Sequence, residues 1–176
     1  MYIIKNFKPS KFLLLAISLA IPIGMSLLGS LAVGKNSLSL YGMLLKPGIS
    51  PPMIVLRGIW ILLCIFMGVA FYKTVVDIKD KYDLKSAIQP YFILLVLEFS
   101  WNIIFFGKQN RLAGVFIVLG MLFFTYLTYI RFKSVRKTSG YLLIPVFIWL
   151  IYLLILSAVV WYMNLNPVSG TFNIFT

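Results

Sequence analysis

Five separate stretches of this chain are each long and apolar enough to cross a bilayer as a helix, and no other feature restricts its folding as much. A hydrocarbon core about 30 Å thick needs about 20 mostly apolar residues. Residues 12–33, about 52–76, 88–106, 112–130 and 141–163 meet that requirement. In lipid, each backbone N–H and C=O must be satisfied within its own segment or a closed barrel, so apolar runs of this length imply helices. The expected fold class is all-α, an integral membrane bundle of five transmembrane helices in a single domain over 1–176. The links, 34–51, 77–87, 107–111 and 131–140, are short, which predicts that sequential helices lie antiparallel and adjacent. Only 11% of the residues are charged and 61% are hydrophobic, whereas a soluble domain carries about 25% charged residues.

The charges that exist are unevenly placed. Sixteen basic residues face four acidic ones, a net charge of +12. Eleven of the sixteen fall in the N-terminal segment (Lys5, Lys8, Lys11) and in or just before the second and fourth links (Lys73, Lys79, Lys81, Lys85, Arg131, Lys133, Arg136, Lys137). Five fall on the other side: Lys35, Lys46, Arg57, Lys108 and Arg111. The positive-inside rule then predicts a cytoplasmic N-terminus and an external C-terminus. The excess is read as a topology signal that also suits anionic lipid on the inner face, and no nucleic-acid partner is expected. Lys5, Lys8 and Lys11 before an apolar run also resemble a signal peptide, with Ser30-Leu31-Ala32 as a cleavage site. The run of 22 residues exceeds the usual signal core of about 7–15, which favours a retained helix.

Several kinds of chemistry are excluded by absence. One cysteine and no histidine leave no disulfide framework, no expected metal site and no Ser-His or Cys-His pair. The segment from Gly29 to Asn36 nearly spells a phosphate-binding loop, but Asn36 replaces the required Ser or Thr and the segment ends an apolar helix. Ala16, Ala20 and Gly24 form a small-residue stripe on the first span. It reads as internal bundle packing or, alternatively, as a contact between two copies.

What remains is a set of aromatic and polar residues at helical spacing. The first link contains Tyr41, Gly42, Lys46, Pro47, Gly48, Pro51 and Pro52. Its three prolines fix φ and remove backbone donors, as in a stiff cap over a bundle mouth. The second span carries Trp60, Cys64 and Gly68 at i, i+4, i+8. The third carries Glu98, Trp101, Asn102 and Phe105. An ionisable residue in mid-span is costly, about 2.5–3.5 kcal/mol on insertion scales for Arg, Lys or Asp. Glu98 is therefore expected to face the interior, as a clamp between helices or as a ligand or proton site. The fifth span carries Pro145, Trp149, Tyr152 and Leu156 along one stripe, and Pro145 is expected to kink it. Trp161 and Tyr162 read as interfacial belt residues. Trp60, Trp101 and Trp149, with Glu98, Asn102 and Tyr152, outline a cavity with aromatic walls and few polar groups, suited to a flat hydrophobic ligand.

These residues bring a family into view. The blocks Tyr41-x-x-Leu44-x-Lys46-Pro47-x-x-x-Pro51-Pro52, Trp60-x-x-Leu63-x-x-Phe66-Met67-Gly68-x-Ala70, Trp101-x-x-Ile104-Phe105-Phe106-Gly107 and Leu142-Leu143-x-Pro145-x-x-x-Trp149 up to Asn164 resemble the TspO/MBR family. That family comprises the tryptophan-rich sensory proteins and the mitochondrial translocator protein, or peripheral-type benzodiazepine receptor. The resemblance implies a five-helix membrane receptor, often a homodimer, in a bacterial cell membrane. Its pocket would bind porphyrins such as protoporphyrin IX, or sterol-like molecules, without a required cofactor. The implied ligand-binding set is Tyr41, Pro47, Pro51, Trp60, Cys64, Glu98, Trp101, Asn102, Phe105, Trp149, Tyr152 and Leu153. In the family, the tryptophans matching Trp60 and Trp149 are implicated in light-dependent porphyrin breakdown. Porphyrin degradation or transport of small amphiphiles are thus the alternatives to sensing. Two departures stand out: Glu98 occupies a position that is commonly Asn, and Leu40 one that is commonly Trp. Leu122, Tyr126 and Arg131 match a loose sterol pattern.

Overall fold

The computed structural model describes residues 10–34, 41–78 and 81–165, the side chains of 81–83 excepted. Lys5, Lys8, Lys35, Asn36, Leu40, Lys79 and the tail from residue 166 lie outside the described residues. Within them, α1 spans Lys11–Val33, α2 Met53–Asp77, α3 Lys81–Trp101, α4 Arg111–Val135, α5 Lys137–Tyr141 and α6 Ile144–Met163. Five helical spans are long and apolar enough to cross a membrane, α5 and α6 together making the fifth. The protein is a multi-pass integral membrane protein with an all-α bundle.

Local chemistry sets the helix ends. The Ser10 side chain caps α1 by accepting from Leu13 N at 3.2 Å, and Asn110 caps α4 by accepting from Ala113 N at 3.0 Å. Before that cap, Gln109 takes a positive φ of 53° and turns the chain tightly between the third and fourth spans. Helices α3 and α4 outrun the apolar stretches: α3 begins seven residues before residue 88 and α4 continues five beyond residue 130. Hydropathy locates the part in lipid, while the helical hydrogen bonds run on into the charged flanks. The fifth span departs further from expectation. Pro145 stands at the start of α6 rather than in mid-span. Lacking an N–H, it cannot bond the Tyr141 carbonyl, and the helix breaks at Leu142 and Leu143. The bend therefore lies at the end of the span.

The spans form a ring in the order α1, α2, α6, α4, α3 and back to α1. Three of the four sequential pairs of spans are neighbours as the links predict. The second and third are not; α3 lies beside α1 and α4 and meets α2 through side chains at the centre. Phe71 stacks on Tyr91 there with ring centroids 4.9 Å apart. Around that pair, Met67, Leu94, Met121, Phe132 and Leu150 close a buried core. Four buried hydroxyls are satisfied inside their own helices: Ser18, Thr74, Thr125 and Thr128 donate to the carbonyl four residues back, at 2.7–2.9 Å. The outer surface is apolar, with Leu31, Phe116 and Ile148 well exposed, as a lipid-facing surface requires.

One contact is closer than ordinary packing. A Cβ on Gly68 would lie 2.7 Å from the Ser18 carbonyl oxygen and 2.9 Å from Leu19 Cα. Pro22 has no N–H, so the Ser18 carbonyl lacks its usual helical donor. Gly68 lets α2 lie directly against that carbonyl. The expected small-residue stripe does not supply this contact. Ala16 and Ala20 are exposed and Gly24 has nothing near it; α1 packs inward through Ser18, Pro22 and Gly29 instead.

Candidate functional site

Pinned together at Gly68, α1 and α2 enclose a cavity nearer the other end, beside the 41–52 loop. Its volume is about 130 Å³. Trp60, Trp101 and Trp149 all line it, from three different helices, together with Asn102 and Leu153. These five of the twelve expected residues form its wall. The remaining seven lie around it. Glu98 and Cys64 are buried behind the Trp60 wall, Phe105 and Tyr152 back the indoles, and Tyr41, Pro47 and Pro51 form the loop above.

The Glu98 carboxyl is only 1% exposed and acts on the wall from behind. Trp60 Nε1 donates to Glu98 Oε1 at 2.5 Å. The second oxygen, Oε2, is buried without a hydrogen-bond partner; the Ser26 hydroxyl lies nearby without satisfying it. This bond ties the indole edge of Trp60 back into the bundle and leaves its face for the cavity. Cys64, fully buried, sits next to the same carboxyl and Ser26.

The other two indoles are held by aromatic neighbours. Trp101 stacks on Phe105 at 5.1 Å and meets Phe106 edge-on at 5.5 Å. Phe105 in turn fills the space over Gly114, where a Cβ would come within 2.5 Å of its ring. Trp149 leans on Tyr152 at 5.0 Å. Residues Asn102–Gly107, which continue α3, are π-helical. The wider turn changes the side-chain register just where Asn102 and Phe106 join the wall, a placement often seen at functional sites. Asn102 Nδ2 donates to the Glu98 carbonyl at 3.2 Å and packs against Gly29 of α1. Trp101 Nε1 is buried without a protein partner.

The loop is latched shut from both sides. Tyr41 Oη donates to the Pro51 carbonyl at 2.8 Å, and Ser50 N donates to the Pro47 carbonyl at 2.9 Å, closing a turn. Burial, and then Tyr152 nearby, push the Tyr41 phenol above its ordinary value, so it remains a donor. Tyr152 Oη donates to the Ile49 carbonyl at 3.2 Å. Asn164, at the end of α6, grips Leu45 twice: its Nδ2 donates to the carbonyl at 2.9 Å and its Oδ1 accepts from the N–H at 3.3 Å. Lys46 Nζ donates to the Tyr41 carbonyl and lies 4.3 Å over the Tyr41 ring. Tyr41, Pro47, Pro51 and Tyr152 therefore hold the cap in place and do not reach the wall.

Nine wall residues were not foreseen: Ser26, Leu27, Ser30, Val33, Met53, Leu56, Arg57, Ile61 and Phe106. Four belong to α1, where Ser26 and Ser30, one turn apart in an apolar run, were the available signal. Leu27, Arg57 and Ile61 are the exposed members of the wall, and they place its opening on the side of the bundle between α1 and α2.

Comparison with known sequences agrees with this architecture. The profile of the family described as TspO/MBR family matches residues 17–163. A protein named tryptophan-rich protein TspO, from Chlorobaculum tepidum, is 29% identical over 157 residues, covering 89% of this chain and 98% of the relative. Another of the same name, from Archaeoglobus fulgidus, is 27% identical over 137 residues, covering 77% of this chain and 87% of the relative.

Proposed function

The chain belongs to the TspO/MBR family, and we propose that it is a membrane receptor that binds a porphyrin, or a flat hydrophobic molecule of similar shape, among its three indoles. The observation that supports this reading is the convergence of Trp60, Trp101 and Trp149 on one cavity. Aromatic faces suit a planar ligand by offset stacking. At about 130 Å³ the closed cavity is smaller than the roughly 300–1,000 Å³ of a drug-sized site. A whole macrocycle therefore enters only if the 41–52 loop lifts or α1 and α2 part. A catalytic reading has less support, because the wall carries no acid-base or nucleophilic pair.

Titration of purified protein with protoporphyrin IX is expected to give saturable quenching of tryptophan fluorescence. Linear quenching, equal to that of free tryptophan in the same detergent, would remove the porphyrin reading.

The placement of basic residues supports an orientation with the 41–52 loop outside the cell and the Arg136 side in the cytoplasm. Cys64 is buried, so introduced cysteines report almost alone. A membrane-impermeant maleimide applied to intact cells should label Met43→Cys and spare Thr138→Cys. The reverse pattern would invert the topology.

A further inference from the structure

Resting on the reading of the pocket as a site for a planar ligand, we propose that Arg57 is its specificity-determining residue, seating a carboxylate of the ligand at the mouth while the ring system lies inward among the indoles. Arg57 is the one charged residue on the described wall. It is exposed and stands one helical turn before Trp60, so the two share a face of α2. A ligand stacked on Trp60 thus reaches the guanidinium without leaving the helix surface. Arginine suits this task because its planar fork pairs with a carboxylate through two parallel bonds.

The surroundings strengthen the positive end. Met53, the first residue of α2, is also on the wall. The helix is preceded by Pro51 and Pro52, has no side-chain cap and has no acidic residue in its first turn. Its first amides and its dipole therefore favour an anion at the same end of the cavity as Arg57. At the inner end the arrangement is the opposite. Glu98 lies buried behind Trp60 and takes up the indole N–H, so that end offers aromatic faces and no cation to pair with an acid. The cavity is polarised along its length, and an acidic planar amphiphile can enter it in only one orientation.

The experiment compares protoporphyrin IX, a diacid, with its dimethyl ester, in a nonionic detergent where no lipid phosphate competes. The wild-type protein should bind the diacid more tightly than the ester. Arg57→Gln should weaken the diacid about tenfold, and the ester by less than about twofold. Arg57→Lys should recover part of the difference. An unchanged ratio of the two affinities in Arg57→Gln overturns the carboxylate seat, as does an equal loss of both. If wild-type protein binds both forms equally, the seat falls and the porphyrin reading survives. If it binds neither, both fall.

Discussion

Trp149→Leu is expected to weaken porphyrin binding by about tenfold or more, and Trp60→Leu combined with it by about a hundredfold or more. Truncated aromatic anchors in desolvated pockets commonly cost 2 kcal/mol or more each, or about thirtyfold in affinity. Trp149 is the cleaner of the two. Its ring lines the cavity and leans on Tyr152, so its loss removes a wall and little else. Trp60 has a second duty, because its N–H is held by Glu98. Removing it leaves a buried carboxyl with neither oxygen paired, and the fold loses stability as well as affinity. Thermal melting measured beside the titration separates the two effects. The single variant Trp149→Leu should melt near wild type yet bind weakly. Saturable binding of unchanged affinity in the double variant would take both indoles out of the site.

Gly68→Ala is expected to lower the melting temperature by several degrees, and Gly68→Val to yield little folded protein. The added Cβ would meet the Ser18 carbonyl and Leu19 Cα, both backbone atoms of α1 that cannot rotate aside. Overpacking of this kind costs about 1–3 kcal/mol. Gly58, on the same helix with nothing within 4 Å, provides the control. Gly58→Ala should be neutral or slightly stabilising, since alanine is the better helix former. Equal melting temperatures for Gly68→Ala and Gly58→Ala would mean that the close approach of α1 and α2 carries no weight.

The five spans could be read from hydropathy because lipid punishes any other arrangement of the backbone. The three indoles could be read as a cluster because they lie within three different apolar runs, and Trp149 sits too deep in its run to be a belt residue. The ring order could not. A short link makes two helices antiparallel without making them neighbours, as the second and third spans show. Hence α3 beside α1, rather than α2, came from packing alone. The π-helical turn at Asn102 was equally hidden, since its hydrogen-bond register depends on the support that Phe105 and Phe106 find against α4 and the capping loop. Pro145 was seen, but its effect depends on where the helix starts, which hydropathy does not resolve. Arg57 was noted as a charge near the start of a span. Only the geometry shows that it faces the cavity.

Leu27 and Ile61, half exposed beside the opening, lie within spans long and apolar enough to cross a membrane, where an exposed apolar surface meets acyl chains. A guest that comes and goes past them is exchanged with the hydrocarbon phase. Its occupancy is then set by its mole fraction among the lipids, so that enlarging the membrane at constant guest and protein empties the site by dilution. With the porphyrin-like guest proposed above, a cell that multiplies its membranes would shift the occupancy of this protein without altering the amount of guest.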